Sequence, residues 1–221
     1  MTDAQYMQER QSVLTAAHQA AGNGLISGSN GNVSTLVSST PLLVAITPSQ
    51  RNYSSLTLDD ILIVDDQGEP LVGALPPSSE TLLHLTIYRN RKDVRAILHT
   101  HSVYATICAV VGIEIPPIMD EMVVMIGGAI RVAKYAFPGT EDLAEQANTA
   151  LNGRNAVLLS MHGMVGVGKD LEHALTICQL TERAAQVYVW SRLLGNPQQL
   201  PEEIVQVETA IYEMSRQSEE V

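Results

Sequence analysis

Short apolar runs rich in β-branched residues, separated by turns and interleaved with helical segments, most constrain what this chain can fold into. Residues 32–37 and 42–47 are two such runs, with Ser-Ser-Thr-Pro between them, and a third covers residues 61–64. Runs bounded by turn residues in this way predict paired strands. Paired strands followed by helices imply an α/β fold, in which helices cover the faces of a sheet that contains antiparallel pairs.

The rest of the chain predicts further elements of both kinds. Apolar periodicity and capping residues predict helices at residues 4–22, 80–88, from about 102, 140–151 and 171–194. Buried strands are expected at residues 94–99 and 156–160, and residues 163–168 are expected to form a glycine-rich turn. Ser78 and Ser79 stand where the N-cap of the second helix is expected. A polar tail follows the last helix and is expected to be helical from Glu202.

Composition and charge indicate one domain and exclude several kinds of partner. Of 221 residues, 45% are hydrophobic and 17% are charged, which is enough to bury one full core. The net charge of −11 argues against nucleic acid or an anionic membrane, because both would repel the protein. Without a membrane-length apolar run or a secretory signal pattern, a cytoplasmic location is expected. We expect a single domain over residues 1–221, with a core at about 8–195 and a tail at 196–221.

Three histidines follow two of the predicted buried strands. His99 and His101 stand at the end of the strand at residues 94–99, where alternate side chains share a face and can point at one ion. His162 takes the equivalent place after residues 156–160. Three neutral imidazoles suit Zn²⁺ and leave a position open for water, substrate or a carboxylate. The alternative is that the first two are surface polar residues and the third is a hydrogen-bonded core or loop histidine.

Glu80 and His84 form a second pair of possible ligands, because residues four apart on a helix share a face. The second histidine of the HExxH pattern is missing, however. His84 falls within the apolar periodicity of its helix, which favours a packed residue or one that supports a ligand from behind. Glu80, in the first turn beside two hydroxyls, either complements the helix dipole or is a carboxylate poised for acid–base chemistry.

An anion site is expected at the start of the same helix. Helix N-terminal amides beside the hydroxyls of Ser78 and Ser79 can hold a phosphate even on an acidic protein. Residues 30–34 and 47–49 can supply further neutral donors, although ordinary turn and capping chemistry would also explain these segments. Residues 163–169 lack the spacing and the terminal Ser or Thr of a nucleotide-binding P-loop.

Six motifs in a fixed order resemble those of the class II aldolase/adducin family, and the resemblance runs from about residue 8 to residue 195. The motifs are Gly31-Asn32-Val33-Ser34, Ile46-Thr47-Pro48-Ser49, Leu75-Pro76-Pro77-Ser78-Ser79-Glu80, His99-Thr100-His101-Ser102, Gly139-Thr140 and His162-Gly163. Six ordered motifs are far more specific than any one of them.

The resemblance implies a zinc-dependent lyase with one ion per chain. The family's Zn²⁺ ligands match His99, His101 and His162, and Glu80 matches the glutamate that ligates the resting metal and acts as acid and base. The family's phosphate-binding positions match Gly31, Asn32, Ser49, Ser78 and Ser79. The implied fold is a single-domain three-layer α/β/α structure with a mostly antiparallel central sheet, assembled as a homotetramer with active sites at subunit interfaces. The implied reaction cleaves a small ketose 1-phosphate, such as L-fuculose 1-phosphate, reversibly to dihydroxyacetone phosphate and an aldehyde.

Two segments depart from the family pattern. Ser49-Gln50 stands where the family has Thr-Gly, which adds a side chain to the expected phosphate pocket. A catalytic tyrosine of the family's aldolases falls in residues 119–121, which contain no tyrosine. Asp120, Glu121 and Tyr212 are the candidates to replace it.

Other branches of the family leave other functions open. Pentulose-phosphate 4-epimerases use the same bond cleavage but resemble PSSD where this chain has PSSE, so Glu80 favours the aldolase. Methylthioribulose-phosphate dehydratases keep the glutamate but have a more glycine-rich segment at residues 29–32. Adducin-like heads are cytoskeletal scaffolds that share the fold without the metal. The complete ligand set, and the lack of a long basic tail, argue against that role.

Overall fold

The computed structural model describes residues 6–219, so residues 4 and 5 of the first predicted helix lie outside the described part. The helices are α1 (Met7–Gly22), α2 (Thr81–Asn90), α3 (Val103–Val111), α4 (Asp120–Ile126), α5 (Glu141–Leu151), α6 (Leu171–Leu194) and α7 (Glu202–Glu219). The strands are β1 (Asn32–Ser39), β2 (Leu42–Ile46), β3 (Leu62–Val64), β4 (Pro70–Val72), β5 (Ala96–Thr100), β6 (Arg131–Ala133), β7 (Ala156–Leu159) and β8 (Gly163–Gly168).

All eight strands described form one sheet, in the order β4-β3-β2-β1-β5-β8-β7-β6. Every neighbouring pair is antiparallel except β6 and β7. Strand β5 pairs with β1 on one side and with β8 on the other, so it lies in the middle of the sheet. The predicted mostly antiparallel sheet is therefore confirmed.

Helices cover both faces of this sheet, which gives the three layers that the sequence predicts. Consecutive residues of β5 enter different cores, because side chains alternate along a strand. Leu98 packs into a cluster built with α1, α3, α4 and α6, whereas Ile97 packs into a second cluster built with α2 and α5. Both side chains are 0% exposed, so the sheet is buried on both faces around β5.

One prediction was wrong: residues 163–168 are not a turn but β8, the strand that pairs with β5 and β7. Its glycines reflect close packing of α6 on the sheet. A Cβ atom on Gly166 would lie 2.6 Å from the Sγ atom of Cys178, and one on Gly168 would lie 2.6 Å from the backbone nitrogen of Ala174. Glycine in a strand marks such close approach as well as turns.

The start of α2 also differs from the expectation. Glu80 itself occupies the N-cap position, and the two serines precede it. The hydroxyl of Ser78 accepts a hydrogen bond of 3.3 Å from the amide of Glu80, and the carbonyl of Ser78 accepts one from Thr81 at 3.1 Å. These bonds tighten the turn that directs the Glu80 carboxylate toward the end of β5.

The polar segment after α6 is a packed part of the fold. The expected helix from Glu202 is present as α7, and it lies against α4, a short helix that the sequence reasoning did not predict. Tyr212 of α7 is only 4% exposed. Among the described residues, no helix combines the length and apolar character needed to cross a membrane.

Candidate active site

Three histidines from two adjacent parts of the sheet converge on one point. His99 and His101 stand at the carboxyl end of β5, and His162 lies in the turn between β7 and β8. The ring centroids of each pair are 4.7–4.8 Å apart, and one nitrogen from each ring falls within 4.8 Å of the others. The sequence spacing therefore correctly predicted that the three histidine side chains come together, because β5 and β8 are neighbouring strands.

The hydrogen bonding of His99 tests whether this group suits a metal ion. Its Nδ1 atom lies 2.9 Å from the carbonyl oxygen of Met164, which can only accept, so Nδ1 carries a proton and Nε2 is the ring nitrogen that faces the other histidines. That Nε2 atom lies 2.9 Å from Nε2 of His101 and 3.1 Å from Oε2 of Glu80. Three potential ligand atoms, one from each of these side chains, thus converge on one point, as the ligands of a divalent cation do.

The protonation states agree with a metal-binding role. Burial lowers the pKa of both His101 and His162 to about 4. Both imidazoles are therefore neutral at about neutral pH, which is the form that ligates metals. Nitrogen ligands from three histidines with one carboxylate nearby are a donor set that Zn²⁺ and similar first-row divalent ions accept.

Glu80 is held next to the histidines with one oxygen bonded and the other free of hydrogen bonds. Oε2 accepts a hydrogen bond of 2.9 Å from the side-chain amide of Asn32. Oε1 lies 3.5 Å from Nε2 of His162, and no hydrogen bond to it is formed by the described residues, although it is buried. Burial acts to raise the pKa of Glu80, but His99, His162 and the Asn32 hydrogen bond outweigh it and hold that pKa below its usual value.

A cavity of about 270 Å³ opens beside this group, and the predicted phosphate-binding residues line it. Its lining combines the cluster residues Glu80, His101 and His162 with Ser29, Asn30, Gly31, Asn32, Pro48, Ser49, Gln50, Ser78, Ser79 and Pro138. None of these described lining residues is Lys or Arg, so a phosphate here would be held by amides, hydroxyls and the nearby metal group. The structure thus brings together every residue that the sequence assigned to the metal and phosphate sites, with His99 buried behind the cavity.

Two loops form the end of the cavity where the sequence predicts phosphate binding, and Gly31 lies where the first loop approaches His99. Gly31 has φ +98°, and a Cβ atom there would lie 2.5 Å from the carbonyl oxygen of His99. Only glycine combines that backbone conformation with that approach. The second loop is tied down by a hydrogen bond of 3.0 Å from the amide of Ser49 to the carbonyl of Pro76. Gln50, which follows, is in the left-handed region with φ 56°.

The three candidates for the missing tyrosine lie elsewhere in the chain. Tyr212 donates a hydrogen bond of 3.0 Å to Asn155 and lines a separate cavity of about 490 Å³ between α4, α6 and α7. Glu121 forms an ion pair of 3.0 Å with Arg183. Neither of them lines the 270 Å³ cavity, and Asp120, at the start of α4, does not line it either.

Of the residues behind Glu80, sequence reasoning interpreted His84 as packed or supporting, as the structure has it, but missed the supporting role of Ser34. His84 is 0% exposed and bonds both to Asn32 and to Ser34, so it supports the site rather than ligating a metal. The spacing of four residues from Glu80 was the available signal for His84. For Ser34 the signal was alternation with Asn32 on one strand.

Comparison with known proteins supports the same assignment. The chain matches the family described as "Class II Aldolase and Adducin N-terminal domain" over residues 11–189. This chain therefore belongs to the class II aldolase/adducin family, and its relatives identify it as an aldolase, that is, a lyase.

Individual relatives share most of their length with this chain. It is 35% identical over 195 residues to a 5-deoxy-D-ribulose 1-phosphate aldolase of Bacillus thuringiensis serovar kurstaki, covering 88% of this chain and 91% of that protein. It is 37% identical over 193 residues to a 5-methylthioribulose-1-phosphate/5-deoxyribulose-1-phosphate aldolase of Rhodospirillum rubrum, covering 87% and 85%. A solved structure of an L-fuculose 1-phosphate aldolase matches with a TM-score of 0.89 and 32% identity, covering 96% of this chain and 98% of that one.

Proposed function

We propose that this protein is a zinc-dependent aldolase that cleaves a small ketose 1-phosphate reversibly to dihydroxyacetone phosphate and an aldehyde. The observation that carries the proposal is the three-histidine group next to a carboxylate with one oxygen free of hydrogen bonds. In this proposal His99, His101 and His162 hold one Zn²⁺ per chain, and Glu80 is its fourth ligand in the resting enzyme.

In this proposal, different residues of the chain bind the substrate phosphate and transfer the proton. The phosphate of the substrate binds at Gly31, Asn32, Ser49, Ser78 and Ser79, whose amides and hydroxyls line one end of the cavity. Cleavage breaks the bond between C3 and C4 of the ketose. The Glu80 carboxylate takes the proton of the C4 hydroxyl, C4 becomes the aldehyde carbon, and the electron pair of the broken bond remains on the C1–C3 fragment. Glu80 then delivers that proton to C3, which completes dihydroxyacetone phosphate and restores the carboxylate. A divalent cation at the histidines would supply Lewis-acid stabilisation of the charge that develops on that fragment.

A Schiff-base mechanism has no support in this cavity. That mechanism needs a lysine amine within reach of the substrate carbonyl. No lysine is found among the described residues that line the cavity.

The substrate proposal is a short-chain ketose with phosphate on C1. L-Fuculose 1-phosphate, 5-deoxyribulose 1-phosphate and 5-methylthioribulose 1-phosphate are the compounds in the names of the relatives. They share the phosphorylated end that the neutral donors of the cavity suit. They differ at the end that leaves as the aldehyde, which the residues of the described cavity do not distinguish.

The test is metal content together with cleavage of these three substrates. Purified protein should contain about one Zn²⁺ per chain, and chelation or His99→Ala should abolish both the metal and the cleavage. His18→Ala is the matched control, because His18 bonds to the carbonyl of Leu56 and does not line the cavity. Full activity of metal-free protein would refute the mechanism, and a ribulose 5-phosphate epimerase activity without cleavage would refute the reaction.

We further propose a homotetramer with active sites at subunit interfaces. In support, large apolar side chains are exposed next to the cavity: Phe137 is 71% exposed beside Pro138, and Met161 is 67% exposed beside His162. Light scattering should give a mass of about four chains. A fully active monomer would contradict this assembly.

A further inference from the structure

A line of buried polar side chains leads away from Glu80 into the core. Asn32 and Ser34 are alternate residues of β1 and share a face, while His84 and Tyr88 are one turn apart on α2. All four are at most 3% exposed. Asn32 Nδ2 lies 2.9 Å from Glu80 Oε2, and Asn32 Oδ1 is bonded to His84 Nε2. Ser34 Oγ lies 2.5 Å from His84 Nδ1 and 2.8 Å from the Tyr88 hydroxyl.

The chemistry of the groups determines the direction of every hydrogen bond in this line. The Glu80 carboxylate only accepts, so the atom of Asn32 next to it is the NH₂ group, and the Asn32 oxygen must face His84. That oxygen also only accepts, so His84 carries a proton on Nε2. The ring of His84 is 0% exposed, which disfavours a charged imidazolium, so Nδ1 is left as an acceptor.

This tautomer of His84 determines the direction of the two remaining hydrogen bonds, which involve Ser34 and Tyr88. A neutral His84 with its proton on Nε2 accepts at Nδ1 from the hydroxyl of Ser34. The oxygen of Ser34 then accepts from the hydroxyl of Tyr88. Each bond therefore points the same way, from Tyr88 through Ser34, His84 and Asn32 to the Glu80 carboxylate.

We propose that His84 is a positioning residue for the acid–base carboxylate, acting through the orientation of the Asn32 amide. This inference rests on the proposed function of Glu80. With His84 donating, the Asn32 amide cannot turn over, so its NH₂ group stays on Glu80 Oε2 and Oε1 remains the oxygen that exchanges a proton with the substrate. If the amide turned over, its oxygen would face the carboxylate, and two acceptors would repel each other.

His84 acts without touching either the metal group or the substrate. It is absent from the three-histidine group and from the lining of the cavity, and both of its ring nitrogens are engaged. Loss of such supporting hydrogen bonds typically costs about 10- to 100-fold in activity. A purely structural role would lower stability without a selective effect on kcat.

Two variants of His84 separate these roles. His84→Gln keeps an N–H donor near the position of Nε2, whereas His84→Phe keeps the volume and removes the donor. We expect His84→Phe to lower kcat about 10- to 100-fold, with KM within about threefold and about one Zn²⁺ per chain retained. His84→Gln should recover most of the lost kcat. His18→Ala is the control, because it deletes a side-chain hydrogen bond to the Leu56 carbonyl outside the cavity and should leave kcat unchanged.

A measurement on the unmodified holoenzyme keeps the proposal testable if His84→Phe does not fold. Nitrogen-15 NMR of labelled histidines distinguishes the two neutral tautomers, and the His84 signal is assigned by its loss in His84→Gln. We expect the proton on Nε2 of His84, opposite to His99, whose Nδ1 faces the Met164 carbonyl.

Several results would overturn the proposal: a proton on Nδ1 of His84, equal kcat in His84→Phe and the unmodified enzyme, an effect on KM alone, or no recovery in His84→Gln. Failure of the proposed function is distinguishable from these. In that case the unmodified, metal-loaded enzyme cleaves none of the sugar phosphates, while the tautomer measurement still reports on the hydrogen bonds.

Discussion

Replacing Gln50 with glycine should stabilise the protein and at the same time weaken its binding of the substrate phosphate. Gln50 has φ 56°, a left-handed conformation that costs a residue with a side chain about 1–2 kcal/mol. Glycine avoids that cost but gives back about 0.4–1 kcal/mol through its greater freedom in the unfolded chain. The difference is a gain of about 0.5–1 kcal/mol in the free energy of unfolding, or about 1–4 °C in Tm for a chain of this length.

The binding effect has the opposite sign. Gln50 lines the end of the cavity where we propose that phosphate binds, and no described lining residue is Lys or Arg, so the phosphate would depend on neutral donors such as the Gln50 side-chain amide. A hydrogen bond to a charged group is worth about 1.5–3 kcal/mol. Because Gln50 is exposed to water, we take the lower end, which corresponds to about a tenfold rise in KM.

Three variants measured by thermal denaturation and steady-state cleavage separate the two effects. Gln50→Gly should raise both Tm and KM. Gln50→Ala keeps the left-handed backbone of a residue with a side chain, so KM should rise without the gain in Tm. Gln50→Asn should stay closer to the unmodified protein in KM, because asparagine tolerates this conformation and keeps an amide. If Gln50→Gly leaves KM unchanged, the amide does not bind phosphate; if Tm does not rise, the strain argument is wrong.

Three further predictions concern protonation and packing. The pKa of His101 and of His162 lies at about 4 in the fold against 6.5 ordinarily, so the unfolded state binds more protons between these values. Urea denaturation of metal-free protein should therefore show stability falling as pH drops from about 6.5 to about 4, and a flat profile would contradict the shifts. Tyr212→Phe should cost about 0.5–1.5 kcal/mol, because Asn155 loses a donor, yet leave kcat unchanged; a loss of kcat would return Tyr212 to the reaction. Gly166→Ala should cost about 1–3 kcal/mol, because the new Cβ would lie 2.6 Å from a sulfur of α6, and unchanged stability would show that the helix shifts freely.

Sequence periodicity predicted the elements that carry the histidines, because that information is local. Alternation along β5 places His99 and His101 on one face whatever the strand pairs with. The same local reasoning failed for residues 163–168, since a run of glycines in a turn and a run of glycines under a tightly packed helix have the same composition. Only the position of α6 over β8 distinguishes the two, and that is a contact between distant parts of the structure.

Spacing along the sequence could not show that the side chain of Asn32 contacts Glu80, because this contact depends on the register between β1 and β5. In the antiparallel pairing of β1 with β5, Asn32 lies opposite His99, and this places its amide against Glu80. A shift of one residue would turn Asn32 to the other face of the sheet and break its bonds to both Glu80 and His84. Gly31 helps to set that register, since a side chain there would meet the His99 carbonyl. Gly31, which we propose binds phosphate, therefore also helps to position Glu80, and a substitution at Gly31 should impair the proposed acid–base step as well as the proposed phosphate binding.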